Sequence, residues 1–86
     1  MKLTLPNITI IEMDGAYRFI GVLGGLHLSL GAYGSLKEGV HGILEKGNTK
    51  LEFLTQLEQL WRKGMEVEWD EEKLFAQANA EPAHSC

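Results

Sequence analysis

Cysteine is nearly absent from this chain. The 86 residues contain one, Cys86, at the last position. A lone cysteine cannot close an internal disulfide, so packing must carry the fold, and the expected compartment is the cytoplasm. There is no C-x-x-C and no H-x-x-x-H. His27, His41, His84 and Cys86 fall at spacings that bring no two ligands onto one regular element, and no metal or other cofactor is expected. No apolar run approaches the roughly eighteen residues of a transmembrane helix. The opening Met1-Lys2-Leu3-Thr4-Leu5-Pro6 lacks the apolar stretch of a secretory signal. Basic residues are scarce too, eight against twelve acidic, for a net charge of −4. Nucleic-acid binders need a basic stripe to neutralise phosphates, so direct DNA or RNA binding is not expected, nor is a membrane partner.

What is present begins with two dipeptides, Asp14-Gly15 and Gly24-Gly25. Each lies between apolar, β-prone segments and is a two-residue hairpin signal. Together they predict a three-stranded antiparallel meander and its register. Asp14-Gly15 pairs Met13 with Ala16, Glu12 with Tyr17, Ile10 with Phe19 and Ile8 with Gly21. Gly24-Gly25 pairs Leu23 with Leu26, Gly21 with Leu28 and Phe19 with Leu30. Directly opposed residues share a face, and faces alternate along each strand. One face therefore carries Ile8, Ile10, Tyr17, Phe19, Gly21, Leu23, Leu26, Leu28 and Leu30.

Helical signals follow. Ser35-Leu36-Lys37-Glu38 is a capping box, and Gly47 is a C-terminal stop, so a helix runs to about Lys46 with Leu36, Val40, Ile43 and Leu44 as its apolar stripe. Gly39 and Gly42 cost this helix roughly 1 kcal/mol each relative to alanine. Close helix-on-sheet packing, near Gly21, explains them. Thr49 and Glu52 make a second box. The second helix is read to about Lys63, ending at Gly64, with Phe53, Leu54, Leu57, Leu60 and Trp61 on one side. Met65-Glu66-Val67-Glu68-Trp69 alternates and reads as a short strand added to an edge of the meander, with Asp70 capping a brief last helix. The expectation is one α+β domain over residues 1–79, with two to three helices on one face of the meander and a fourth edge strand, followed by a flexible tail over 80–86.

The second sheet face carries Thr9, Ile11, Met13, Arg18, Ile20, Val22, His27 and Ser29. If the helices cover the first face, Ile11, Ile20 and Val22 form an apolar patch rimmed by polar groups. Such a patch suits a partner or a second copy of the chain, unless the last helix folds across it. The acidic run Glu66, Glu68, Asp70, Glu71 and Glu72 reads either as a solvated face or as a dock for a basic partner. No paired carboxylates in a cleft, no activated nucleophile and no phosphate loop emerge, so an enzyme, or a small enzyme subunit, is the least favoured class.

Two segments resemble known families. Gly42-Ile43-Leu44-Glu45-Lys46-Gly47-Asn48-Thr49-Lys50-Leu51-Glu52-Phe53-Leu54 resembles the helix–Gly–Thr–helix step of small PqqD-like domains. In that family a three-stranded sheet precedes a three-helix bundle. It serves as a precursor-peptide recognition element in ribosomal peptide (RiPP) biosynthesis, binding a leader peptide as an added strand. This chain departs from it where Trp61-Arg62-Lys63-Gly64 leads into the expected strand. The second runs from Ile8 to Ile43: Ile-x-Ile, Asp14-Gly15-x-Tyr17, Gly25, Gly31 and Ser35-x-x-Glu38-Gly39-Val40 resembles the N-terminal domain of HicB-type antitoxins, without that family's Pro-Gly. The first resemblance implies an accessory protein that captures a peptide or protein segment for a modifying enzyme, with contacts at Arg18, Ile20, Leu26, His27, Leu28 and Ser29. The second implies an antitoxin or inhibitor that binds a basic protein.

Overall fold

The computed structural model describes residues 2–79. The tail read over 80–86, with His84 and Cys86, lies outside the described residues. The elements are β1 (Lys2–Thr4), β2 (Ile8–Met13), β3 (Ala16–Leu23), β4 (Leu26–Tyr33), α1 (Leu36–Lys46), α2 (Leu51–Glu66) and α3 (Glu71–Asn79). The four strands form one antiparallel sheet in the order β1-β2-β3-β4, an α+β fold.

The first hairpin follows its turn chemistry. Asp14 and Gly15 have φ of 54° and 80°, the left-handed pair that a two-residue turn between right-twisted strands needs. The pairings Met13↔Ala16, Glu12↔Tyr17, Ile10↔Phe19 and Ile8↔Gly21 are all present. The second hairpin starts as expected, with Leu23↔Leu26 and Gly21↔Leu28. It then departs. Ile20 pairs with Ser29 but Phe19 pairs with Gly31, so Leu30 is an extra residue in a β-bulge and the expected Phe19–Leu30 pair does not form. Gly31, at φ 114°, adopts a conformation closed to residues with a Cβ, which lets the strand absorb the extra residue. Past the bulge, Tyr33 pairs with Tyr17.

The fourth strand is β1, from the N-terminus, and not the expected Met65–Trp69. Leu3 pairs with Ile10 and is fully buried. Met65 and Glu66 instead extend α2 past Gly64. Gly64 is a contact, not a stop: a Cβ there would lie 2.5 Å from the Trp69 indole. The helix ends on Glu68 and Trp69, both left-handed (φ 54° and 56°), with the Trp69 N–H returning to the Gly64 carbonyl at 2.7 Å. Burying the indole against α2 outweighs the alternation of Met65-Glu66-Val67-Glu68-Trp69, because an isolated edge strand buries less of that ring. The α2 start also differs. Lys50 is the N-cap and offers no side-chain cap, so the helix begins without the Thr49–Glu52 box. The Ser35 cap does form: its hydroxyl accepts the Glu38 N–H at 3.1 Å.

All three helices pack on one sheet face. Leu3, Ile8, Ile10 and Phe19 meet Val40 and Ile43 of α1, Phe53 and Leu57 of α2 and Leu74 and Phe75 of α3 in one core. Two glycines set the closeness. A Cβ on Gly39 would lie 2.2 Å from the Phe19 ring, and one on Gly21 would lie 2.5 Å from the Phe53 ring. Gly39 thus packs on Phe19 and not at Gly21, whose space is taken by α2. The Tyr17 hydroxyl donates to the Glu71 carboxylate at 2.5 Å, and Leu74 and Phe75 join the core beside Leu3. This holds α3 on the β1 side of the same face. The last helix does not cover the second face.

Candidate functional site

The sheet has two edges. β1 is three residues long, whereas β4 is eight. Among the described residues no strand neighbours the outer side of β4, and such a row of backbone groups can template another strand. The bulge divides this edge. Leu26, His27, Leu28 and Ser29 form the uninterrupted part, and Leu30–Gly31 breaks the ladder.

A groove of about 190 Å³ lies beside the break, lined by Ser29, Leu30 and Tyr33 of β4, Ile43 and Lys46 of α1, and Asn48 and Thr49 of the α1–α2 loop. Tyr33 is its fixed wall. Its ring meets Phe19 edge-on at a 5.8 Å centroid distance, and a Cβ on Gly42 would lie 3.1 Å from it. Ile43 gives an apolar floor, and Lys46 puts a cation at the last turn of α1, where it also complements the helix dipole. Such a groove, one apolar floor with polar and cationic rims, can take a single side chain of an adjacent extended chain.

The six residues read from sequence as contacts fall on two faces of β3 and β4. Leu26 and Leu28 are on the helix side, where Leu26 is 53% exposed at the strand end. The hairpin register placed it on this face, and it lies at the rim there. His27 and Ser29 are exposed on the opposite face, with Ile20 paired to Ser29 and Arg18 paired to Ala32 one strand further in. The groove residues Leu30, Tyr33, Ile43, Lys46, Asn48 and Thr49 were missed. The available signal was the change in spacing from Leu26, Leu28 and Leu30 to Tyr33, three residues on, which marks an extra residue in the strand.

The remaining chemistry is sparse. The Tyr17 hydroxyl has its pKa raised from 10.0 to about 12, first by its hydrogen bond to Glu71 and then by burial. A hydroxyl held protonated at a helix end is a structural tie. Among the described residues no group of three or more His, Cys, Asp or Glu could hold a metal ion, and no helix is long and apolar enough to cross a membrane. The acidic run splits: Glu71 is tied to Tyr17, while Glu66, Glu68, Asp70 and Glu72 are exposed around the α2–α3 turn.

These elements define a class, a two-layer α+β domain whose helices cover one face of an antiparallel meander. No protein-family model matches the chain, and no curated protein or solved structure matches it.

Proposed function

We propose that the chain is a non-catalytic accessory protein that captures an extended peptide segment by strand addition to β4 and presents it to a modifying enzyme, as in precursor-peptide recognition. The observation that carries this reading is the eight-residue edge strand lying beside the groove of Tyr33, Ile43 and Lys46. A peptide strand hydrogen-bonds to β4 along Leu26–Ser29. Its alternate side chains flank Leu26 and Leu28 on one face and His27 and Ser29 on the other. One further side chain enters the groove where the bulge ends the ladder. Ile20 and Arg18 border the guest from the next strand. Helices alone follow the sheet, because Met65–Trp69 forms the end of α2 and a turn and not a strand.

NMR titration with candidate leader peptides tests this. The expected outcome is shifts of the amides from Leu26 to Tyr33 and from Ile43 to Thr49. Absence of shifts in these segments at millimolar peptide overturns it.

The exposed carboxylates Glu66, Glu68, Asp70 and Glu72 favour a second reading, an inhibitor of a basic protein in the manner of HicB-type antitoxins. Inhibition of a ribonuclease toxin, lost on replacing these four with their amides or with serine, is its test.

A further inference from the structure

The second sheet face has no helix over it among the described residues, and its side chains are ordered in rows. One row runs Lys2–Ile11–Arg18–Ala32, the next Thr4–Thr9–Ile20–Ser29. Met13 with Ala16 lies beyond the first, and Val22 with His27 beyond the second. The apolar members therefore form a line, Met13–Ile11 on β2 continuing as Ile20–Val22 on β3. Successive rows on one face are about 7 Å apart, so the four span ~20 Å. That is the length of about fourteen residues of α-helix. Ile11, Ile20 and Val22 are half-buried and Met13 is 66% exposed. A depression of about 290 Å³ at the Met13 end is lined by Ile11, Met13, Asp14, Ala16 and Arg18.

Charge on this face runs against the chain as a whole. The protein is net −4, yet the face bears Lys2 and Arg18 in one row, and its bordering carboxylate is Asp14, out in the hairpin turn. The sheet aromatics Tyr17, Phe19 and Tyr33 are all on the helix side. Without an aromatic on this face there is no platform for stacked bases and no interfacial belt for a bilayer. A second copy docked about a two-fold axis would have to be complementary to the same patch, cations included.

We infer that this face docks an acidic amphipathic helix of a partner protein, its apolar stripe along Met13, Ile11, Ile20 and Val22 and its flanking carboxylates against Lys2 and Arg18. Helix-on-sheet contact is the packing that the protein already uses on its other face. The docking line shares Ile20 and Arg18 with the border of the peptide-capture site, but the ladder edge Leu26–Ser29 of β4 and the groove of Tyr33, Ile43 and Lys46 are not part of it.

The test uses two synthetic fourteen-residue helical peptides with the same leucine stripe, one flanked by glutamates and the other by lysines, titrated into the full-length 15N-labelled chain. The expected result is saturable shifts of Ile11, Arg18, Ile20 and Val22 with the glutamate peptide. Its affinity should be at least tenfold higher than that of the lysine peptide, should fall with added salt, and should reverse in preference in the double variant Lys2→Glu, Arg18→Glu. Circular dichroism checks that this variant folds, and the single exposed change Arg18→Glu provides a second reading of the same preference. The inference is overturned if both peptides bind alike, if shifts map to the helices or to β4 alone, if dilution without peptide moves the same amides (a second copy), or if anionic phosphatidylserine vesicles bind this face while the glutamate peptide does not.

Discussion

Ile10 and Ile11 are neighbours in the chain with identical side chains, yet they meet different surroundings. Ile10 is fully buried beneath the helices, paired between Leu3 and Phe19. Ile11 is half-buried on the open face, between Lys2 and Arg18. The period of two along a strand assigns one to the core and the other to the surface. One face therefore supplies stability, and the other is free to present a surface.

The strongest way to break this comparison is to truncate both isoleucines. Ile10→Ala should lose about 2–5 kcal/mol in urea denaturation, the range for a buried aliphatic side chain leaving a cavity. Ile11→Ala should lose less than about 1 kcal/mol, because water already reaches it. Equal losses would mean that the second face is covered. Next in size is Gly39→Ala, whose methyl would enter the Phe19 ring. Overpacking of this kind costs about 1–3 kcal/mol, against the gain that alanine brings to an open helix. A thermal melt that rises for this variant would contradict the close approach.

Tyr17→Phe removes the tie to Glu71 and should cost about 0.5–1.5 kcal/mol. It also carries a pH signature. The folded-state pKa of Tyr17 is raised to about 12 from 10.0, so the tie is fully present below pH 10. Above that, the unfolded chain loses its proton first, and stability declines as pH rises toward 12. The phenylalanine variant should lack this alkaline decline at that site, as read from unfolding midpoints between pH 9 and about 12. The smallest effect belongs to Met13→Ser on the open face, within about 0.5 kcal/mol. A larger loss would show that Met13 is packed.

Much of the sheet was legible because turn chemistry and alternation act over a few residues. Asp14-Gly15 and Gly24-Gly25 located both hairpins, and all the expected pairings of the first one formed. The bulge at Leu30–Gly31 was not read: the three-residue step from Leu30 to Tyr33 hints at an extra residue, but its place is fixed by the pairing of Gly31 with Phe19 in another strand. Met65–Trp69 misled for a related reason. Its alternation is a local signal, and the indole on Gly64 is a tertiary contact that overrides it. The edge strand of the candidate site could be foreseen in outline. Its groove could not, because Tyr33, Ile43 and Lys46 meet only once α1 lies along the sheet.

The sheet order repeats the order of the chain, so each strand pairing closes only a short loop and can form early. The docking of α3 is different. It joins Leu74 and Phe75 to Leu3 across almost the whole described chain. That contact should be the slowest to form and the first to open, and amide exchange in α3 should outpace exchange in β2 and β3. β1 and α3 thus act as a clasp, and the meander beneath it can outlast its release.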